Sequence, residues 1–213
     1  MIDARVVTAR SRKRRIPGHV ERAVLLRLRA LAAAVPAGQA IVELGAWQGR
    51  STAWLLLGAS EGHGAHVTTV DPWGARTDDY AAAHPDYSSQ EAYAAFRRHM
   101  KKVGAHPGVH TVLRGYAADV GRDWAGPPVG LLWHDAEHTA GAVAEDLAAW
   151  APHVAPGGVV VLHDAGNPAF GVRAGAERAL PGEMWDWCGA ETTVWARHPE
   201  RRGALFIRRK ETT

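Results

Sequence analysis

Apolar positions along the chain switch between recurrences of three to four residues and short continuous runs, the alternation expected of helices set between buried strands. Val20, Val24, Leu28, Leu31 and Val35 put one apolar stripe on a helix over residues 18–35, which Pro36 and Gly38 end. Ala40-Ile41-Val42-Glu43-Leu44 reads as a short buried strand broken by Gly45, and Ser51 to Ala59 resumes helical spacing until Gly62 and Gly64. His66–Val70 gives a second strand ending at Asp71-Pro72-Trp73. Ser88–Lys102 predicts a helix with Ala92, Phe96 and Met100 on one face. Further strands are expected at Val109–Arg114, Val129–Trp133 and, after a Pro156-Gly157-Gly158 turn, Val159–Leu162. The last two are joined by a helix from about Thr139 to Trp150, with Val143, Leu147 and Trp150 inward. A helix near Val172–Leu180 follows, then strands Thr192–Ala196 and Ala204–Arg208, joined by His198–Gly203 as an antiparallel hairpin.

Strands that are apolar throughout and alternate with helices specify an α/β fold: a doubly wound, mostly parallel, Rossmann-like sheet of seven strands, helices on both faces, closed by the C-terminal antiparallel hairpin. Ligands of such sheets bind beyond the carboxyl ends of the strands, at the switch point. The positions that matter are therefore Glu43–Thr52, Asp71–Trp73, Gly115–Ala118, His134–His138 and His163–Asn167.

Composition changes this picture little. The length suits one large domain, expected over residues 17–213, and the single Cys188 cannot form an internal disulfide. No run is long or apolar enough for a signal segment or a membrane span, so the expectation is a cytoplasmic protein with no membrane partner. The net charge of +3 owes much to Arg5, Arg10, Arg12, Lys13, Arg14 and Arg15, read as a solvated, flexible tail over residues 1–16. A nucleic-acid partner is not favoured, because no basic stripe with exposed stacking aromatics accompanies that tail.

The turn Glu43-Leu44-Gly45-Ala46-Trp47-Gln48-Gly49-Arg50-Ser51-Thr52 carries the first chemical signal. It lacks G-x-G-x-x-G, since Trp47 stands where a pyrophosphate needs the second glycine, and no Gly-Lys-Ser/Thr follows to make a P-loop. S-adenosylmethionine has no phosphate to cradle and carries cationic groups, so carboxylates near the turn suit it. Glu43 is expected to face its amino-acid end, N–H groups around Gly49–Ser51 its carboxylate, Asp71 its ribose hydroxyls and Trp73 its adenine. Gly45, Ala46, Trp47, Gly49, Ser51 and Thr52 complete that expected cofactor set, with Gly115, Tyr116 and Ala117 at the adenine and Asp119 as a helix cap.

Asp135, His138 and Asp164 come from adjacent strand ends and are expected to converge above the sheet. Two carboxylates there suit a hard divalent cation such as Mg2+, with substrate hydroxyls as further ligands, and His138 is placed to take the hydroxyl proton. His163 is a third candidate ligand. The loop 74–88, with Tyr80, His84 and Tyr87, is a candidate substrate lid, and Met184–Trp187 a candidate pocket wall or homo-oligomer contact.

V-E-L-G-A-W-Q-G-R-S-T, V-T-T-V-D-P-W, L-L-W-H-D-A-E-H and D-L-A-A-W-A-P-H-V-A-P-G-G-V-V-V-L-H-D together resemble the class I S-adenosylmethionine-dependent methyltransferases. Among them the chain looks most like the small metal-dependent O-methyltransferases of natural products, the macrolide-sugar and cephalosporin types, over roughly residues 39–165. D-x-x-H followed by an acid after the fifth strand is the most specific shared pattern. The resemblance implies methyl transfer to a small-molecule hydroxyl, with Asp135 and Asp164 as metal ligands and His138 as base. Relatives commonly carry a third ligand as Glu before the last Asp or Asn after it; here His163 and Ala165 stand there. The competing readings are a metal-independent N- or O-methyltransferase, a metal-dependent hydrolase or oxygenase on the same cluster, and a non-catalytic cofactor-binding subunit.

Overall fold

The computed structural model describes residues 1–9, 15–74, 90–167, 169–187 and 203–211. In chain order the elements are α1 (Ala4–Val7), α2 (Arg22–Ala34), β1 (Ala40–Leu44), α3 (Arg50–Glu61), β2 (Val67–Val70), α4 (Gln90–Val103) and β3 (His110–Leu113). Then follow α5 (Ala117–Arg122), β4 (Val129–His134), α6 (Ala140–Trp150), β5 (Val154–Leu162), α7 (Val172–Ala179), β6 (Trp185–Asp186) and β7 (Leu205–Arg209). One seven-stranded sheet runs β3-β2-β1-β4-β5-β7-β6. β1 to β5 pair in parallel, and β7 runs antiparallel between β5 and β6. The expected doubly wound, mostly parallel sheet is thus present, with its switch point between β1 and β4.

Every residue of β1 and β4 is buried, because helices cover both faces of these central strands. Alternation divides the core in two. Ile41, Leu131 and Trp133 pack with Leu28, Leu55 and Phe96 of α2, α3 and α4, whereas Val42 and Leu132 pack with Leu147, Trp150 and Ala176 of α6 and α7. Among the described residues no helix is long and apolar enough to cross a membrane.

Three expectations need correction. Residues 1–9 are not a solvated tail: Asp3 caps α1 by accepting from Arg5 N, its own N–H donates to Val103 O (2.9 Å), and Ile2 and Val7 are buried. The apolar side of Ile2, Val6 and Val7 outweighs Arg5, and Ile16 is buried as well; residues 10–14 lie outside the described residues. Pro156-Gly157-Gly158 is not a turn before β5 but an irregularity within it, taken up where the register with β4 shifts between Val129 and Leu131. The strand beyond β7 is Trp185–Asp186, so Trp185, expected as pocket wall or oligomer contact, is a buried sheet residue. Thr192–Ala196 and most of the 198–203 turn lie outside the described residues, as do Tyr80, His84, Tyr87 and Cys188.

Candidate active site

β1 delivers the chain to its turn through Gly45 (φ +83°), where a Cβ would stand 2.3 Å from the Asp135 carbonyl oxygen. Gly45 N–H donates to Val70 O and Asp135 N–H to Leu44 O (2.9 and 2.8 Å), so this turn and the end of β4 share backbone bonds. Gly49 (φ +88°) opens α3 with no side-chain cap, which leaves the first N–H groups of the helix beyond the turn. Among the described residues, Trp47, Trp73 and Asp164 are the non-glycine residues with positive φ (46°, 39° and 55°), one at each of the ends of β1, β2 and β5. Left-handed backbone costs an L-residue about 1–2 kcal/mol, so each is held there by its surroundings.

Asp71 supplies much of that hold. Its Oδ2 accepts from Ala46 N–H (2.9 Å) and Trp47 N–H (3.0 Å), and its Oδ1 from Trp73 N–H (2.8 Å). The carboxylate expected to receive ribose hydroxyls is thus buried and engaged by three backbone amides. Burial pushes its carboxyl pKa up against the lowering effect of those amides. Trp73 also differs from expectation. Its ring is fully buried against Tyr93 and Phe96 (centroids 4.9 and 4.8 Å), and its Nε1–H donates to Trp47 O, so it props the turn from inside and has no face open to adenine.

Glu43 lies beneath the same turn, fully buried. It accepts from Ser51 Oγ (2.5 Å), Thr52 Oγ1 (2.6 Å) and Thr69 Oγ1 (3.0 Å), so it anchors the start of α3 and does not face the expected amino-acid end of a cofactor. Burial raises its pKa from 4.5 to about 7, the three hydroxyls pull it down and the Asp135 charge adds to the rise. The native state therefore holds a proton that the unfolded chain releases, and stability falls as pH rises from 4.5 to about 7. Integrated over that window the loss is about 3 kcal/mol. In urea unfolding from pH 4 to pH 8, Glu43→Gln should lose this component while the wild type keeps it; parallel pH profiles would refute the assignment.

At the end of β3, Gly115 and Tyr116 reach the same edge of the sheet. Tyr116 is 41% exposed and N-caps α5, and Ala117 is buried with its carbonyl accepting from Trp150 Nε1 (2.8 Å). Asp119, expected as that cap, sits one turn in and pairs with Arg122 (2.7 Å).

The chemical cluster converges as the sequence suggests. Strand alternation turns His134 toward α6, where its Nε2 meets Asp146 Oδ2 (3.0 Å), and leaves Asp135 at the open edge. His163 Nδ1 lies 3.0 Å from Asp135 Oδ1 and 3.4 Å from Asp164 Oδ2. His138 Nε2 lies 3.5 Å from Asp164 Oδ2 and 3.9 Å from Asp135 Oδ1, and its ring rests on Phe170 at 4.6 Å. Ligand atoms of Asp135, His138 and His163 fall within 4.8 Å of one another.

Sequence reasoning missed Glu21, which precedes α2 and places Oε2 at 3.2 Å from His163 Nε2. With a carboxylate at each ring nitrogen, both nitrogens of His163 donate, the arrangement of an imidazolium. Burial alone would lower its pKa, but the charge of Asp135, the hydrogen bonds to Asp135 and Glu21 and the charge of Asp164 outweigh it and hold it well above the ordinary histidine value. An acid at the start of a helix whose other charged residues are all arginines was the available signal.

The model for the family described as "Methyltransferase domain" matches residues 42–165, which contain both the glycine turn and the Asp135–Asp164 cluster. No curated protein matches the chain. Among solved structures it is similar to the O-methyltransferase from Bacillus cereus in complex with SAH (18% identity, TM-score 0.67) and to cofactor-bound Rv0187 from MTB (20%, 0.66), each alignment covering 92% of this chain and 84% of the other. It is also similar to the O-methyltransferase TomG from Streptomyces achromogenes, involved in tomaymycin synthesis and solved with SAM (19%, 0.61; 91% and 82% covered). At these identities the likeness is one of fold. The family match spans more than half of the chain, and the sheet order agrees with it: the chain belongs to the methyltransferase-domain family, as a class I S-adenosylmethionine-dependent methyltransferase.

Proposed function

We propose that the protein transfers a methyl group from S-adenosylmethionine to a hydroxyl oxygen of a small-molecule acceptor, with Asp135, Asp164 and His163 holding a divalent cation and His138 acting as base. The observation that carries this reading is the convergence of two carboxylates and two imidazoles beside the glycine turn. Those donors fit a divalent cation, with more nitrogen than Mg2+ prefers, and His163 would have to release its Nδ1 proton to serve as a ligand. When bound, such a cation stabilises the acceptor oxygen as an alkoxide.

The chain's own residues account for the rest. N–H groups at the start of α3 receive the cofactor carboxylate, and Gly115, Tyr116 and Ala117 border its adenine. His138 Nε2 takes the hydroxyl proton as the oxygen forms its bond to the methyl carbon and the carbon–sulfur bond breaks, leaving S-adenosylhomocysteine. Phe170 holds the His138 ring while that proton moves.

A metal-free version of the same transfer is favoured by one observation: the His163 imidazolium already places a positive charge between Asp135 and Asp164. Calorimetric titration with S-adenosylhomocysteine, with and without Mg2+, tests the cofactor, and turnover in excess chelator tests the cation. Binding of the cofactor product with loss of turnover in chelator is expected. Absent binding overturns the methyl-transfer reading, and full turnover in chelator replaces the cation with the His163 charge.

A further inference from the structure

Three arginines on the N-terminal side of the site have no part in the reaction above. Arg15, Arg22 and Arg50 line one cavity, walled by Val7, Ile16 and Trp54. We propose that they bind a phosphoryl or diphosphoryl group carried by the acceptor; the assignment to an acceptor rests on the methyl-transfer reading.

Position is the first argument. Arg50 follows Gly49 of the cofactor turn, and Arg22 follows Glu21, which reaches His163. The cavity therefore borders the start of α3, next to the glycine turn, and the start of α2, next to the residue that reaches His163. α2 and α3 run side by side in the same direction: Arg29 Nε pairs with Glu61 at 2.6 Å, and Arg22, two turns earlier, lies over the ring of Trp54 at 5.5 Å. α2 begins at this edge without a side-chain cap bond, so its positive helix end adds to the same region.

Charge is the second. Arg50 donates to Gly18 O (2.5 Å) and Arg22 rests on an indole, so a neutral carbonyl and a ring hold these guanidinium groups. None of the ion pairs among the described residues involves Arg15, Arg22 or Arg50. The carboxylate of Glu21 serves His163. Burial, then the charges of Arg15 and Arg22, lower the pKa of Arg50, with only Glu21 opposing. Planar guanidinium forks match phosphate oxygens in pairs, and three of them suit a multiply charged anion better than a single carboxylate.

Calorimetry of the full chain with inorganic pyrophosphate at fixed ionic strength, with and without saturating S-adenosylhomocysteine, provides the test. Pyrophosphate should bind both forms, and Arg22→Gln and Arg50→Gln should each weaken it about tenfold or more. Arg15→Gln, on an exposed side chain, repeats the test if Arg50→Gln does not fold. No heat from pyrophosphate, equal affinity in folded variants, or complete displacement by S-adenosylhomocysteine would overturn the proposal, the last by giving the cavity to the cofactor. Tighter binding of a single-stranded oligonucleotide, lost in the same variants, would overturn it in favour of nucleic acid. If pyrophosphate binds and responds to the variants while S-adenosylhomocysteine does not bind, the anion pocket stands and the methyl-transfer reading falls.

Discussion

Asp135→Asn is expected to lower methyl transfer at least about 100-fold while S-adenosylhomocysteine affinity stays within a few-fold of the wild type. The separation follows from which atoms of Asp135 do what. Its backbone closes the cofactor turn, through the N–H bond to Leu44 O and a carbonyl against Gly45, and Asn keeps both. Its carboxylate faces His163 and lies within ion-pair reach of His138, and only this is lost. The neutral amide neither holds a cation as a carboxylate does nor balances the His163 charge. The measurement is turnover on any hydroxyl acceptor from a panel that the wild type methylates, beside a calorimetric titration of each protein. Unchanged turnover sinks the catalytic role, and a matching loss of cofactor affinity assigns the carboxylate to the cofactor instead.

Gly45→Ala should cost about 3–5 kcal/mol of stability and cofactor binding with it. Positive φ accounts for the smaller part. The larger part is the added Cβ, which would lie 2.3 Å from Asp135 O and 2.8 Å from Ala136 Cα, backbone atoms at the end of a central strand that cannot turn aside. Gly38 provides the control: its φ is also positive, +81°, but a Cβ there meets nothing within 4 Å. Gly38→Ala should therefore show only the conformational cost, about 1–2 kcal/mol. Urea unfolding of the two variants separates clash from strain, and equal losses would show that the approach of β1 to β4 is not what requires the glycine.

The sheet was legible in the sequence because period and continuity of apolar residues report burial directly. The strand ends were legible as places for the same reason. What those side chains do there was legible only in part. Asp71 looks alike in sequence whether ribose hydroxyls or the amides of Ala46, Trp47 and Trp73 occupy it, since spacing fixes position and not direction. Trp73 was expected along the adenine because a strand ends beside it, yet α4 brings Tyr93 and Phe96 over its ring. Glu21 and His163 are 142 residues apart, and no local pattern joins them. Asp135, His138 and Asp164 were read correctly as converging, because adjacent parallel strands must end near one another.

The left-handed residues Trp47, Trp73 and Asp164 bear on any attempt to make this protein more robust. Glycine or asparagine at such positions removes conformational cost, so a screen that selects on melting temperature alone should be drawn to these three sites first. Each one shapes an end of β1, β2 or β5, where the proposed sites for cofactor and acceptor lie. Heat resistance gained there would come at the expense of turnover, and a durable variant is better sought on the outward faces of the later turns of α2 and α6, away from the strained edge.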